Sequence, residues 1–309
     1  MTETRPFRGV LSPVLTPYDR HLNPEPARFV AHAQWLLEDG CTGLAPFGTT
    51  GEAVSLGLEE RIDLLDALVD GGIDPAVLLP GTGVPSIADS VRLTRHAVER
   101  GCGGVMMLPP FYYKGVSDDG VFAFFSEVID RVGDARTKIY LYHIPPQAVI
   151  GFSLDLVGRL IDAFPETIVG LKDSSGDWSY TAALLEAFPG FGTLSGSEVF
   201  LLDNLRGGGA GCITATGNVN ARRIARLFEQ WQGADADAWQ AELIAMRRCI
   251  EAQPMIPMLK HIIAAARGDA VWTTVRPPFT ALSAEGAAGV LRQLDEVFGF
   301  TLDLTQAAA

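Results

Sequence analysis

The stretch Thr167-Ile-Val-Gly-Leu-Lys172 is a short apolar run that ends in a charged residue. It is continuously apolar rather than alternating, as expected of a strand buried on both faces of a parallel sheet. Similar runs recur along the chain. The predicted strands are Gly9–Thr16, Gly43–Phe47, Ala76–Gly81, Gly104–Leu108, Lys138–His143, Thr167–Lys172, Gly192–Ser195 and Gly211–Ala215.

Helix-length amphipathic segments separate these strands. In one of them Ile87, Val91 and Val98 share a face, and Ser86 precedes the segment as a capping residue. The same pattern predicts helices over Leu58–Val69, Asp118–Val132, Leu154–Ala163, Ser179–Phe188 and Ala221–Trp231. Eight strands that alternate with helices predict an α/β fold, specifically a (β/α)8 TIM barrel.

The strand pattern stops after Trp231. Beyond it, apolar periodicity predicts three helices, Asp235–Gln253, Met255–Arg267 and Ala284–Phe298. Proline residues interrupt the pattern between them, as expected at helix boundaries. We therefore predict a barrel that carries the active site over residues 1–232 and a small C-terminal three-helix domain over residues 233–309.

Composition and charge narrow the class of protein. The 309 residues are 48% hydrophobic and 20% charged, which is ordinary for a soluble globular enzyme, and the net charge is −13. This acidic balance argues against nucleic acid or an anionic membrane surface as the partner. The N-terminus lacks a signal-peptide pattern, and no apolar run reaches the roughly 18 residues of a membrane span. We expect a cytoplasmic protein.

Metal binding is not predicted. Cys41, Cys102, Cys212 and Cys249 are widely spaced, without the paired spacing of a structural zinc site. No cluster of His, Asp and Glu falls at the predicted strand ends, which argues against a metal-dependent barrel aldolase.

The lysines are few, and their placement is informative. The chain has only Lys114, Lys138, Lys172 and Lys260. Barrel enzymes carry their chemistry at the carboxyl ends of the strands, and only Lys172 ends an apolar strand. Partial loss of hydration there favours the neutral, nucleophilic amine. The alternative is a lysine that extends to solvent or pairs with Asp173.

Two other strand ends carry polar groups. Tyr142 lies near the end of the preceding strand, level with Lys172, where a phenol can transfer protons. The alternative is a core tyrosine whose hydroxyl is already hydrogen-bonded. The turn Phe47-Gly-Thr-Thr-Gly-Glu52 offers hydroxyls and backbone N–H groups suited to a carboxylate, although such turns are usually only turns.

Three motifs occur in order: Gly48-Thr-Thr-Gly-Glu52, Tyr142-His-Ile-Pro145 and Gly170-Leu-Lys-Asp-Ser174. Together they resemble the dihydrodipicolinate synthase / N-acetylneuraminate lyase family, and the similarity covers nearly the whole chain. The resemblance implies a class I, Schiff-base lyase or aldolase that acts on a 2-keto acid. It also implies a barrel followed by three helices, a homotetramer or homodimer, and no organic cofactor.

The resemblance also implies roles for individual residues. Lys172 would form the imine with the keto carbon, and Tyr142 would be the general acid and base. Thr49 would relay protons between Tyr142 and a tyrosine of a neighbouring subunit. Thr50 and the backbone of its turn would hold the substrate carboxylate. Further substrate contacts are expected from Gly48, Gly196 and Ile213.

The inter-subunit tyrosine has two candidates. The stretch Pro109-Pro-Phe-Tyr-Tyr-Lys-Gly-Val-Ser117 is one residue longer than the corresponding loop of the family. Counting forward from Pro110 favours Tyr112, whereas counting back from Ser117 favours Tyr113.

The substrate is predicted from one position at which this chain departs from the family pattern. Dihydrodipicolinate synthases carry an arginine shortly after the tyrosine turn, but Gln147 stands there in this chain and cannot form a bidentate pair with a carboxylate. The leading hypothesis is cleavage or dehydration of a 4-hydroxy-2-keto acid, such as 4-hydroxy-2-oxoglutarate or a 2-keto-3-deoxy sugar acid. The alternatives are dihydrodipicolinate synthase itself and a non-catalytic 2-keto acid sensor, which would need neither Lys172 nor Tyr142.

Overall fold

A parallel sheet forms the centre of the computed structural model, which describes residues 7–302; residues 1–6 and 303–309 lie outside the described residues. The sheet has seven strands in the order β2-β1-β7-β6-β5-β4-β3. The strands are β1 Gly9–Ser12, β2 Gly43–Leu44, β3 Val105–Met107, β4 Ile139–His143, β5 Ile168–Asp173, β6 Gly192–Ser195 and β7 Gly211–Ile213. Neighbouring strands are parallel throughout.

The predicted strand Ala76–Gly81 is wrong at its start, since Pro75–Val77 forms a short 3-10 helix, and the rest of the segment forms only isolated bridges. It nevertheless bonds to both edges of the sheet: Leu79 N donates to Leu44 O at 2.8 Å, and Met106 N donates to Pro80 O at 2.9 Å. Pro80 has no N–H group, which explains why no regular ladder forms here. The seven strands and this segment form a continuous ring.

Helices follow the strands, as the alternating pattern predicts. Their bounds are α1 Pro26–Glu38, α2 Leu58–Asp70, α3 Ile87–Glu99, α4 Asp118–Val132, α5 Pro145–Ala148, α6 Leu154–Ala163, α7 Trp178–Ala187, α8 Leu201–Arg206, α9 Gly217–Gln230, α10 Ala236–Ile250, α11 Met255–Arg267 and α12 Ala284–Phe298. The sequence did not predict α1, α5 or α8. In α1 the polar His32 is fully buried, so the apolar period is broken there.

The three predicted C-terminal helices correspond to α10, α11 and α12. They share a hydrophobic cluster to which Leu15 and Val219 also belong. The helices therefore pack directly against the ends of the barrel. Within residues 7–302, no helix is both long and apolar enough to cross a membrane.

Candidate active site

Lys172 and Tyr142 lie side by side at the carboxyl ends of β5 and β4. They are register partners in the sheet, and their side chains are almost fully buried. The Lys172 Nζ lies 4.3 Å from the centre of the Tyr142 ring. Because paired residues of parallel strands project to the same side, the two groups predicted to act together are brought together.

The amine of Lys172 has no carboxylate partner within residues 7–302. Asp173 does not fill that role, because its carboxylate accepts hydrogen bonds from Ser175 N and from the Thr181 hydroxyl. The alternative of a lysine paired with Asp173 is therefore not what the structure shows. An amine without an ion-pair partner is available to attack a carbonyl carbon.

The turn after β2 presents Thr49 to Tyr142. Thr49 Oγ1 lies 3.1 Å from the Tyr142 hydroxyl, at hydrogen-bond distance. The turn is tight: Phe47 and Glu52 have φ angles of 60° and 57°, in a region that L-residues rarely adopt. A Cβ on Gly51 would lie 2.7 Å from a backbone oxygen of Val14, so only glycine fits there.

A buried ion pair anchors this turn to α11. Glu52 and Lys260 form a salt bridge, with side chains that are 0% exposed. Lys260 Nζ also donates to Thr274 O at 2.8 Å, and Arg276 N donates to Glu52 Oε2 at 2.9 Å. Burial lowers the pKa of Lys260 to about 8, although the attraction of Glu52 opposes the shift.

A cavity of about 660 Å³ opens above the Lys172 amine. The predicted site residues that line it are Thr49, Thr50, Tyr142, Gln147, Lys172, Gly196 and Ile213. A smaller cavity of about 150 Å³ shares Thr49, Tyr142 and Gln147 with it, and Gly48 lines this smaller one. The structure thus places Gly48 beside the main cavity rather than in its wall.

Tyr112 and Tyr113 do not reach the cavity of their own chain. Their side chains are 72% and 71% exposed, and their rings touch edge to face with centroids 5.4 Å apart. Both positions remain candidates for the tyrosine predicted to enter a neighbouring subunit's site.

His143 belongs to the core, although it follows Tyr142 directly. Its Nδ1 accepts a hydrogen bond from Phe152 N at 2.9 Å, and its ring stacks on Tyr180 with centroids 4.1 Å apart. Burial lowers the pKa of His143, while the nearby Asp173 opposes the shift. His143 is therefore a buried core residue whose Nδ1 is already occupied as an acceptor.

Helix α10 supplies a polar wall that sequence reasoning missed. Arg247 and Glu251 line the main cavity, and Arg247 Nε donates to Glu251 Oε1 at 2.8 Å. Arg247 Nη1 donates to Glu198 Oε2, also at 2.8 Å, and this carboxylate accepts hydrogen bonds from the hydroxyls of Thr214 and Thr216. No signal in the sequence connected α10 with the strand ends.

The fold and the site define an enzyme of the lyase and aldolase type. An amine and a phenol lie together at the carboxyl ends of parallel strands, where α/β barrels carry their chemistry. Within the described part of the chain, no group of three or more His, Cys, Asp or Glu residues is placed to hold a metal ion.

Comparison with known proteins gives the family. The profile of the Dihydrodipicolinate synthetase family matches residues 6–297, and this chain belongs to that family. An uncharacterized DapA-like lyase of Chloroflexus aurantiacus is 30% identical over 296 residues, which cover 95% of this chain and 98% of the relative. The resemblance carried by the three motifs is therefore confirmed.

Solved structures of the family have a similar fold. The dihydrodipicolinate synthase of Agrobacterium tumefaciens has a TM-score of 0.87 and 32% identity, covering 94% of this chain and 99% of that chain. YagE, a prophage protein of E. coli from the dihydrodipicolinic acid synthase family, has a TM-score of 0.86 and 26% identity, covering 94% and 98%. The YagE structure is a complex with pyruvate.

Proposed function

We propose that this chain is a Schiff-base-forming lyase that cleaves or dehydrates a 4-hydroxy-2-keto acid. The observation that carries the proposal is the buried amine of Lys172, which has no ion-pair partner within residues 7–302 and lies against the ring of Tyr142, whose hydroxyl is 3.1 Å from Thr49 Oγ1. These are the two parts that imine chemistry needs, a nucleophilic amine and a proton carrier.

The reaction begins at the keto carbon. Lys172 Nζ attacks this carbon, and the carbinolamine loses water to give a protonated imine, with Tyr142 protonating the departing oxygen. The imine is an electron sink. In cleavage, the C4 hydroxyl gives its proton to Tyr142 and the C3–C4 bond breaks. An aldehyde leaves, and the electron pair remains in an enamine, which is protonated at C3 and hydrolysed to pyruvate.

The walls of the cavity support the same assignment. Thr50 and the backbone N–H groups of its turn are suited to the substrate carboxylate, and Gly196 and Ile213 leave room beside the imine. Pyruvate in the YagE complex supports a 2-keto acid as the ligand class. No metal and no organic cofactor takes part in these steps.

The runner-up is 4-hydroxy-tetrahydrodipicolinate synthase, the dihydrodipicolinate synthase activity. It is favoured by the name of the Agrobacterium tumefaciens relative. Gln147 argues against it, because this residue lines the cavity without the positive charge that a second substrate carboxylate requires. A non-catalytic 2-keto acid sensor is the alternative of another class, and it leaves Lys172 and Tyr142 unexplained.

Assembly and domain organisation are also part of the proposal. Val54, Tyr112, Tyr113 and Val149 expose more than 60% of their surface, which supports an interface with a second copy in a homodimer or homotetramer. The change from alternating strands and helices to three consecutive helices, α10, α11 and α12, supports a division between a barrel over residues 1–232 and a helical part over residues 233–309.

Trapping of the imine tests the proposal. The protein is incubated with pyruvate and borohydride, and the adduct is mapped by peptide mass spectrometry. We expect a reduced pyruvyl adduct on Lys172, its loss in Lys172→Ala, and an unchanged adduct in the control Lys114→Ala. Binding of pyruvate without an adduct, or an adduct on Lys114, would contradict the proposal, and the first of these results would favour the sensor.

A further inference from the structure

One wall of the catalytic cavity is built around Arg247 of α10. Its side chain is only 13% exposed and is held by two carboxylates, Glu198 and Glu251. Glu198 is itself fully buried and accepts two further hydrogen bonds, from Thr214 and Thr216. The wall is therefore a connected network that joins α10 to the ends of β6 and β7, rather than a solvent-exposed ion pair.

Hydrogen-bonding capacity is left over in this wall. Arg247 uses Nε and Nη1 on Glu251, Glu198 and Thr214, and its Nη2 has no partner within residues 7–302. Glu251 accepts from Arg247 through Oε1 alone, and its side chain is 44% exposed. A free donor and a free acceptor thus lie beside each other in the wall, which suits hydroxyl groups, because a hydroxyl both donates and accepts.

The charges of the cavity do not suit a second carboxylate. The charged residues that line it are Lys172, Asp173, Arg247 and Glu251. Lys172 forms the imine with the keto carbon, so its amine is not available to bind a second carboxylate. The two negative charges of Glu198 and Glu251 exceed the single positive charge of Arg247. A carboxylate that drew Arg247 away would leave the buried Glu198 without its cation, which is costly.

We infer that this wall of the cavity binds an uncharged, hydroxylated chain, so that the substrate is a 2-keto-3-deoxy sugar acid rather than a dicarboxylate such as 4-hydroxy-2-oxoglutarate. This inference rests on the proposed Schiff-base function. Glu251 and Arg247 are the residues that determine specificity, with Glu198 as the residue that positions Arg247. The cavity of about 660 Å³ has room for such a chain.

The first test compares two substrates in the unmodified protein. We expect a higher kcat/KM for 2-keto-3-deoxygluconate than for 4-hydroxy-2-oxoglutarate, measured as substrate consumption. Equal values, a preference for the dicarboxylate, or consumption of neither would overturn the inference. Borohydride trapping with pyruvate is run in parallel. An adduct on Lys172 shows that the proposed chemistry stands even if the inference fails, whereas its absence contradicts the proposed function itself.

Variants of Glu251 provide the second test, because Arg247 variants strand a buried carboxylate and need not fold. Glu251→Gln removes a charge and keeps an acceptor, so the preference for the sugar acid over the dicarboxylate should fall roughly threefold to fivefold. Glu251→Ala should lower kcat/KM for the sugar acid by roughly fivefold to tenfold, mainly through KM. The control Glu296→Gln, an exposed residue of α12, should change neither. Unchanged ratios in both Glu251 variants would overturn the assignment.

Discussion

The Lys172 amine and the Tyr142 ring are in contact, with Nζ 4.3 Å from the ring centre, while the hydroxyl at the edge of the same ring is bonded to Thr49. The side chain of Tyr142 thus contacts the proposed nucleophile, Lys172, through its face and the proposed proton relay, Thr49, through its hydroxyl. The two contributions of Tyr142 can therefore be separated by a change that removes only the hydroxyl.

Tyr142→Phe keeps the ring and its contact with Lys172 but removes the proton carrier. We expect pyruvate still to be trapped on Lys172, while turnover falls by about a hundredfold to ten-thousandfold, as for loss of a general acid and base. The measurements are the borohydride adduct and steady-state kinetics. Thr49→Val should lower turnover less. Full activity in Tyr142→Phe would show that the phenol is only a core residue.

The choice between Tyr112 and Tyr113 can be settled by complementation. Both side chains are exposed in one chain, so a catalytic role requires entry into a neighbouring subunit's site. Tyr112→Phe and Tyr113→Phe are made singly, and we expect only one of them to lose activity. Co-expression of that variant with Lys172→Ala should restore activity, because a hybrid site combines the intact lysine of one subunit with the intact tyrosine of the other. No recovery would contradict a role across subunits.

The buried pair of Glu52 and Lys260 should contribute to both stability and activity. Lys260→Met leaves the Glu52 carboxylate buried without its cation, and we expect the free energy of unfolding to fall by about 3–5 kcal/mol. Turnover should also fall, because Glu52 ends the turn that presents Thr49. Denaturant unfolding and kinetics measure the two effects.

Matched variants show whether the cost comes from the uncompensated charge. The double variant Lys260→Met with Glu52→Gln should recover part of the lost stability, and Lys138→Met, at the other end of the barrel, should cost far less. A stability loss in the double variant equal to the sum of the two single changes would contradict coupling between these residues.

The strand-end rule predicted that Lys172 and Tyr142 lie close together, as they do, and long-range contacts account for what it missed. Lys172 and Tyr142 could be placed together because both lie near the carboxyl ends of consecutive strands, and such ends meet at one edge of a parallel sheet. Glu52 and Lys260 are 208 positions apart, and Glu198 and Arg247 are 49 apart, so no periodic pattern connects them. Of these four residues, only Lys260 could have been recognised from the sequence as a buried charge that needs a partner, because it lies in an otherwise apolar part of α11.

Stability should depend on His32 at acidic pH. Burial lowers the pKa of His32 to about 3, nearby Arg267 adds to the effect, and Asn218 opposes it. The ordinary value is about 6.5, so between these limits the unfolded chain binds a proton that the folded chain does not. The contribution of His32 to the free energy of unfolding should therefore fall by about 1.4 kcal/mol per pH unit as the pH drops below 6.5.

The measurement for His32 is the difference in slope between two proteins. Other groups also titrate in this range, so denaturant unfolding is followed from neutral pH to about pH 4 for the unmodified protein and for His32→Asn. The variant should lose stability less steeply with falling pH, whatever its stability at neutral pH. Parallel curves would show that His32 gains its proton equally in both states.

A substitution of Gln147 should raise the dihydrodipicolinate synthase activity. It lines both cavities next to Tyr142, and Gln147→Arg would add a planar guanidinium able to hold a carboxylate through two hydrogen bonds. We expect kcat/KM for condensation of pyruvate with aspartate semialdehyde to rise roughly tenfold to a hundredfold. Gln147→Lys supplies the positive charge but cannot form the two parallel hydrogen bonds, so we expect a smaller rise in kcat/KM for this condensation. Robust cyclised product from the unmodified chain would contradict this account, because the clamp would then be dispensable and the synthase assignment would replace the lyase.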